Sequence, residues 1–166
     1  MIWAQGCSIR CAGCWNSEMW DFSPNIILSV PEILEKICRE KRAIEGVTVL
    51  GGEPLDQYAE TLELLKSCKR TNISTMLFTG YEITEIADRG MDEILSCCDI
   101  LITGRYDQAK RTIECQWIGS FNQEIHFLTG RYRDYEIRDA NYVEIDIEES
   151  GAVTVLGFPE KGMTFV

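Results

Sequence analysis

Short apolar runs alternate along this chain with stretches whose apolar residues recur every three or four positions. Met1 to Gln5 (MIWAQ) is mostly apolar and ends at Gly6, which predicts a buried strand feeding a turn. Trp20 to Asn25 is an irregular connection. Ser29-Val30-Pro31-Glu32 then has the form of a capping box with proline in the first turn, and Ile33, Leu34, Ile37 and Cys38 share one face of a helix predicted to reach about Ala43. Gly46 ends it. The β-branched run Val47 to Leu50 is a second strand, stopping at Gly51-Gly52-Glu53-Pro54. Asp56 is placed to cap the next helix, whose apolar positions are Tyr58, Leu62, Leu65 and Cys68.

A third strand, Ser74 to Phe78, runs into Thr79-Gly80-Tyr81-Glu82. Helical spacing from about Thr84 to Leu95 is interrupted near Gly90, and Asp99 to Ile102 is a fourth strand ending at Thr103-Gly104-Arg105-Tyr106. Ile113 to Ile118 and Glu124 to Leu128 are further candidate strands. Tyr142 to Ile147 and Ala152 to Leu156 predict a C-terminal hairpin around Glu148-Glu149-Ser150-Gly151. Glu144, Asp146 and Glu148 alternate there with Val143, Ile145 and Ile147, as the solvated face of a strand does. Alternating strands and amphipathic helices make repeated βαβ units, so the expected fold is α/β: a compact incomplete barrel of parallel strands in one domain over residues 1–166. Sites in such folds form where the strands end. Four loops, at Cys7–Cys14, Gly51–Pro54, Thr79–Tyr81 and Thr103–Tyr106, then share one rim.

Composition narrows the partners. With 166 residues and 45% hydrophobic positions the chain buries one core, and a net charge of -11 with a pI near 4.6 argues against nucleic acid or an anionic membrane surface as a ligand. The first residues lack a basic region followed by an apolar signal core, and no run of about 18 apolar residues marks a membrane span. Eight cysteines in a chain of this length, clustered rather than evenly spread, fit a reducing cytoplasm better than a disulfide scaffold. Cys38, Cys68, Cys97, Cys98 and Cys115 sit among apolar residues and read as packing.

The remaining three gather in Ala4-Gln5-Gly6-Cys7-Ser8-Ile9-Arg10-Cys11-Ala12-Gly13-Cys14-Trp15-Asn16, at spacing CxxxCxxC. Three thiolates are one short of a closed tetrahedral metal site or a fully ligated iron-sulfur cube, and an open position marks sites built for chemistry. Two completions compete on the residues alone: His126, the only histidine, as fourth ligand of a structural zinc, or Cys97 or Cys98 as fourth ligand of a ferredoxin-type cluster. Taken alone, Gly51-Gly52 before Pro54 favours an ordinary turn, though glycines there also permit close backbone approach to a ligand, with Glu53 able to accept hydrogen bonds from an ammonium group.

CxxxCxxC after a first strand, followed by Gly-Gly-Glu-Pro after a second, resembles the radical S-adenosylmethionine enzymes. Within them AQGCSIRCAGCWN, VLGGEPL, LFTGYE, DILITGRYD and GSFNQEI are similar to the small activating proteins of glycyl-radical enzymes, the anaerobic ribonucleotide reductase group above all, from about Met1 to His126. The resemblance implies a [4Fe-4S] cluster on Cys7, Cys11 and Cys14, with S-adenosylmethionine on the fourth iron through its amino and carboxylate groups. Gly51, Gly52 and Glu53 would hold the methionyl amino group, Thr79, Gly80 and Tyr81 would lie beside the cofactor, and Gly119, Ser120, Asn122 and Gln123 would line its nucleoside side. It also implies reductive cleavage to a 5′-deoxyadenosyl radical that takes hydrogen from a glycine of a large partner enzyme, with a flavodoxin- or ferredoxin-type protein as reductant. A free radical needs water excluded, and Trp15, with Trp3 and Trp20, reads as a shield for the cluster or equally as ordinary core packing. Radical modification of a peptide or small molecule is the enzymatic alternative, and an iron-sulfur electron carrier or sensor the non-enzymatic one. Glu53 speaks against the carrier, since electron transfer needs no ammonium-binding loop. Two departures stand out: Thr103 occupies a position that is usually acidic in the subgroup, and the residues that usually precede the first strand are missing.

Overall fold

The computed structural model describes residues 1–23, 25–138, 143–147 and 150–157. Strands β1 (Ile2–Ala4), β2 (Gly46–Gly51), β3 (Ser74–Phe78), β4 (Ile100–Thr103) and β5 (Glu124–Phe127) form one sheet in that order. The first four are parallel, linked through α1 (Val30–Glu40), α2 (Tyr58–Arg70) and the short α3 (Ile83–Asp88), which a 3-10 turn at Asp92–Cys97 follows. The α/β class is as expected, and the arrangement is consistent with an incomplete barrel. β5 departs from it by pairing antiparallel to β4. Only a short 3-10 turn, Gln108–Lys110, and no α-helix lies between those two strands, so the chain returns along the same edge instead of crossing over.

One face of the sheet makes the core. Val47, Val49, Leu77 and Leu101 pack with Ile37, Leu64, Leu65, Cys68, Ile86 and Ile94 from the helical segments. The intervening residues Thr48, Leu50, Met76 and Phe78 are only half-buried and turn to the other face, where the cavities lie. The strands read as continuous apolar runs in sequence, yet only alternate positions of β2 are core, because helices cover a single side.

Local signals explain most boundaries. The capping box is made: Ser29 N–H donates to Glu32 Oε2 at 2.7 Å and Glu32 N–H to Ser29 Oγ at 3.4 Å. α1 ends at Glu40, short of Ala43. Gly90, at φ +68°, separates α3 from the 3-10 turn and accounts for the interruption. Asp56 does not cap α2. It lies within a 3-10 turn at Pro54–Gln57, and Gln57 takes the cap position without a side-chain bond.

Ile113 to Ile118 is not a strand. This stretch is a loop closed by the bridge of Arg111 to Ser120 and by Thr112 N–H donating to Gly119 O at 2.9 Å, with Trp117 left-handed at φ +68°. β6 (Val143–Ile147) and β7 (Val153–Gly157) form the expected hairpin as a separate sheet. Ile145 and Ile147 are exposed, while Tyr142, Glu148 and Glu149 lie outside the described residues. Among the described residues no helix is long and apolar enough to cross a membrane.

Candidate functional site

At the C-terminal ends of β1 to β4 the four loops line an open cavity of about 240 Å³. Cys7, Cys11, Cys14, Gly51, Gly52, Glu53, Thr79, Gly80, Gly119 and Gln123 all line it. Parallel strands deliver their following loops to one edge, which is how residues more than a hundred positions apart meet.

The cysteine loop is tied at both ends. Gly6 N–H donates to Met19 O at 2.8 Å, Cys7 N–H to Trp20 O at 3.2 Å, and Glu53 N–H to Gly6 O at 2.8 Å. Cys7 is buried, and Cys11 and Cys14 are half-buried against the cavity. Burial raises the pKa of the Cys11 thiol, a hydrogen bond from the Tyr106 backbone opposes this, and the thiols of Cys14 and Cys7 raise it further. A coordinated metal would remove the proton of such a thiol.

The glycines are required by contact. Gly51 has φ +115° and an added Cβ would lie 2.6 Å from Ala4 O; at Gly52 it would overlap the Gly6 carbonyl oxygen. Glu53 is 1% exposed. Its Oε1 accepts from Leu55 N–H at 2.9 Å and Thr79 Oγ1 at 2.8 Å, and its Oε2 from Gly80 N–H at 2.7 Å. Burial pushes its pKa up to about 7 despite those three donors. Oε2 keeps acceptor capacity for a cation entering the cavity.

Gln123 pins the far wall. Its Oε1 accepts from Gly119 N–H at 2.8 Å and Ser120 N–H at 3.2 Å, while its Nε2 donates to Gly104 O at 3.0 Å. Three of the candidates stand back from the cavity. Ser120 is fully buried and its Oγ accepts from Asp107 N–H at 3.1 Å. Asn122 donates to Arg105 O at 2.8 Å and faces a separate small cavity with Thr103 and Glu124. Tyr81, 3% exposed, sends its hydroxyl toward Asp56 at 3.4 Å.

Ile9, Trp15, Asn16, Leu50, Phe78, Gly104, Tyr106 and Trp117 complete the lining. Gly104 and Tyr106 belong to a rim loop visible in sequence; Leu50 and Phe78 needed the one-sided core, and Trp117 needed the loop that replaces the expected strand. Of the three shielding tryptophans only Trp15 lines the cavity, with the Arg111 guanidinium 4.6 Å from its ring centre. Trp3 borders another hollow beside Phe22.

The competing completions fail on position. His126 Nε2 is 2.9 Å from Thr103 Oγ1 within the β4–β5 pair, and among the described residues no three His, Cys, Asp or Glu side chains converge on the place of a single ion. Cys97 and Cys98 are buried in the core, where burial raises the Cys98 thiol pKa to about 12. A four-iron cube gives each thiolate its own iron, so its ligands surround a cavity instead of meeting at a point. The donor set around this cavity, three thiols and an open wall, fits that group. Cys38, expected to pack, is exposed. Thr103 lies outside the cysteine-lined cavity, so a threonine in place of the usual acidic residue changes the His126 side of β4 and not the cavity wall.

Residues 1–126 match the family described as a 4Fe-4S single cluster domain. The chain is 30% identical to the anaerobic ribonucleoside-triphosphate reductase-activating protein of Pasteurella multocida (strain Pm70) over 136 residues, 77% of this chain and 86% of that one. Its counterpart in Haemophilus influenzae is 31% identical over 138 residues, covering 75% and 84%. The pyruvate formate-lyase-activating enzyme of Clostridium pasteurianum is 37% identical over 86 residues, covering 49% of this chain and 36% of its own.

Proposed function

The chain belongs to the radical S-adenosylmethionine family of glycyl-radical activating enzymes, which use a [4Fe-4S] cluster and S-adenosylmethionine, and we propose that as a single domain over residues 1–166 it activates a large glycyl-radical partner. Cys7, Cys11 and Cys14 hold the cluster in this reading. The observation that supports it is the meeting of those thiols with Gly51–Gly52–Glu53 and Thr79–Gly80 around one cavity. The chemistry the two groups supply when bound is one-electron reductive cleavage of the sulfonium, ending in 5′-deoxyadenosine.

The protein's own residues bind, orient and exclude water. Gly51 and Gly52, packed against the Ala4 and Gly6 backbone, bring the turn to the cavity wall where the methionyl end would bind, and Glu53 receives its ammonium, a cation that draws the buried carboxyl to its charged form. Thr79 and Gly80 are held against Glu53 and carry its orientation to the next strand. Gly119 and Gln123 face the nucleoside side, with Ser120 and Asn122 bracing that loop and Tyr81 bracing the rim from behind. Leu50, Phe78, Trp15 and Trp117 make the wall apolar, which keeps water from a reactive centre. Three free thiols need a reducing compartment and the cleavage needs an electron; the cytoplasm, with a flavodoxin- or ferredoxin-type reductant, supplies both.

The test is anaerobic incubation of the reconstituted protein with S-adenosylmethionine, reductant and an anaerobic ribonucleotide reductase. A doublet electron paramagnetic resonance signal of a glycyl radical is expected. Cleavage of S-adenosylmethionine without a signal on any such partner would refute the activating role and leave radical chemistry on another substrate.

A further inference from the structure

Between Cys7 and Cys11 the loop is fastened to the body of the protein by a side chain of the next motif. Asp56, two residues after Pro54, accepts from Ser8 N–H through Oδ2 at 2.6 Å and from Ser8 Oγ through Oδ1 at 2.8 Å. Tyr81 brings its hydroxyl to the same place, 3.4 Å from Asp56 Oδ1 and 3.3 Å from Ser8 Oγ. The ring of Tyr81 is buried, with the Arg89 guanidinium 4.4 Å from its centre, so the phenol has little freedom to leave. One carboxylate thus joins the cysteine loop, the Gly-Gly-Glu-Pro turn and the Thr79–Tyr81 loop.

We propose that Asp56 is a positioning residue for the cluster: it fixes the Cys7–Ser8 segment through Ser8 and places a negative charge beside it. The inference rests on the cluster assignment above. Two consequences follow from the chemistry. A charge-assisted, two-point bond to Ser8 holds Cys7 before any iron arrives, and such outer partners commonly change metal affinity 10- to 100-fold. A fixed carboxylate beside the loop also disfavours adding an electron to the cluster, and so makes the reduced cluster a stronger reductant. Asp56 already acts on its surroundings in this way, its charge being among the influences that raise the pKa of Glu53.

The test uses the whole protein, reconstituted anaerobically as wild type, Asp56→Asn, Asp56→Glu and Ser8→Ala. Cluster midpoint potential is followed by electron paramagnetic resonance, iron release by a ferrous chelator, and unfolding of the cluster-free forms by circular dichroism. Asp56→Asn is expected to shift the potential upward and release iron about tenfold faster. Asp56→Glu, which keeps the charge, restores the potential. Ser8→Ala speeds release with little change in potential. Unchanged potential and release in Asp56→Asn would overturn the inference, as would faster release matched by an equal loss of stability in the cluster-free form with the potential unmoved. If Asp56→Asn does not fold, release from Ser8→Ala at the wild-type rate overturns it. A wild-type protein that binds no cluster on the three cysteines contradicts the underlying assignment instead.

Discussion

Glu53 is a carboxyl group withdrawn from water and held by three donors, and its charge state governs part of the pH dependence of folding. Its ordinary pKa of 4.5 rises to about 7 in the folded protein, so the folded form binds the extra proton between those values. Stability from this group is therefore present in full below pH 4.5 and is lost as pH rises through about 7, on the order of 3 kcal/mol in all. In Glu53→Gln that slope should vanish between pH 4.5 and 7, on top of a constant penalty for turning an amide toward Gly80 N–H. Chemical denaturation of both proteins across the window measures it; parallel curves would contradict the account. Thiol reactivity gives a second check. Exposed Cys38 should react with iodoacetamide in the native protein well before Cys68 and Cys98, whose thiol pKa values burial raises to about 11 and about 12. Peptide mass mapping against time shows the order. Glu53 was visible as a motif residue, but nothing in its sequence neighbourhood tells that Thr79 and Gly80 are its partners, because that bond spans two strands.

Elements were legible where helical periodicity was clear, with a cap to confirm it in α1 and without one in α2. The α1 capping box and the apolar positions of α2 needed no tertiary information. Misreadings fall where a tertiary partner overrides local chemistry. Asp56 has the composition of a helix cap and serves the cysteine loop instead. Ile113 to Ile118 has strand composition, yet Trp117 turns left-handed and lines the cavity. Gly52 shows how tightly two elements are coupled, since a methyl group there meets the Gly6 carbonyl that accepts from Glu53 N–H. Gly52→Ala should cost about 2 kcal/mol and lower cluster retention, read by thermal unfolding and iron content. A variant as stable as wild type, with full iron, would show that the two loops move apart freely.

For the molecule as a whole, core and chemistry lie on opposite faces of one sheet. The core packs under the helices, while the cavity is bounded by loops whose main anchors are protein hydrogen bonds. Removing the cluster should accordingly leave the fold standing, unlike a small domain that metal alone holds together. Circular dichroism of the cluster-free protein should keep its helical signal, and collapse of that signal would mean that the cluster supplies the core. Sequence showed the four loops and their shared rim through strand alternation; it did not show the antiparallel β5, which depends on an absent crossover helix. The measurement closest to the central claim is 5′-deoxyadenosine formation by the reduced, reconstituted protein given S-adenosylmethionine without oxygen. Wild type should form it, and Cys11→Ala should lack both the cluster and the product; a loaded wild-type cluster that yields none, or Cys11→Ala that yields as much, would contradict the account.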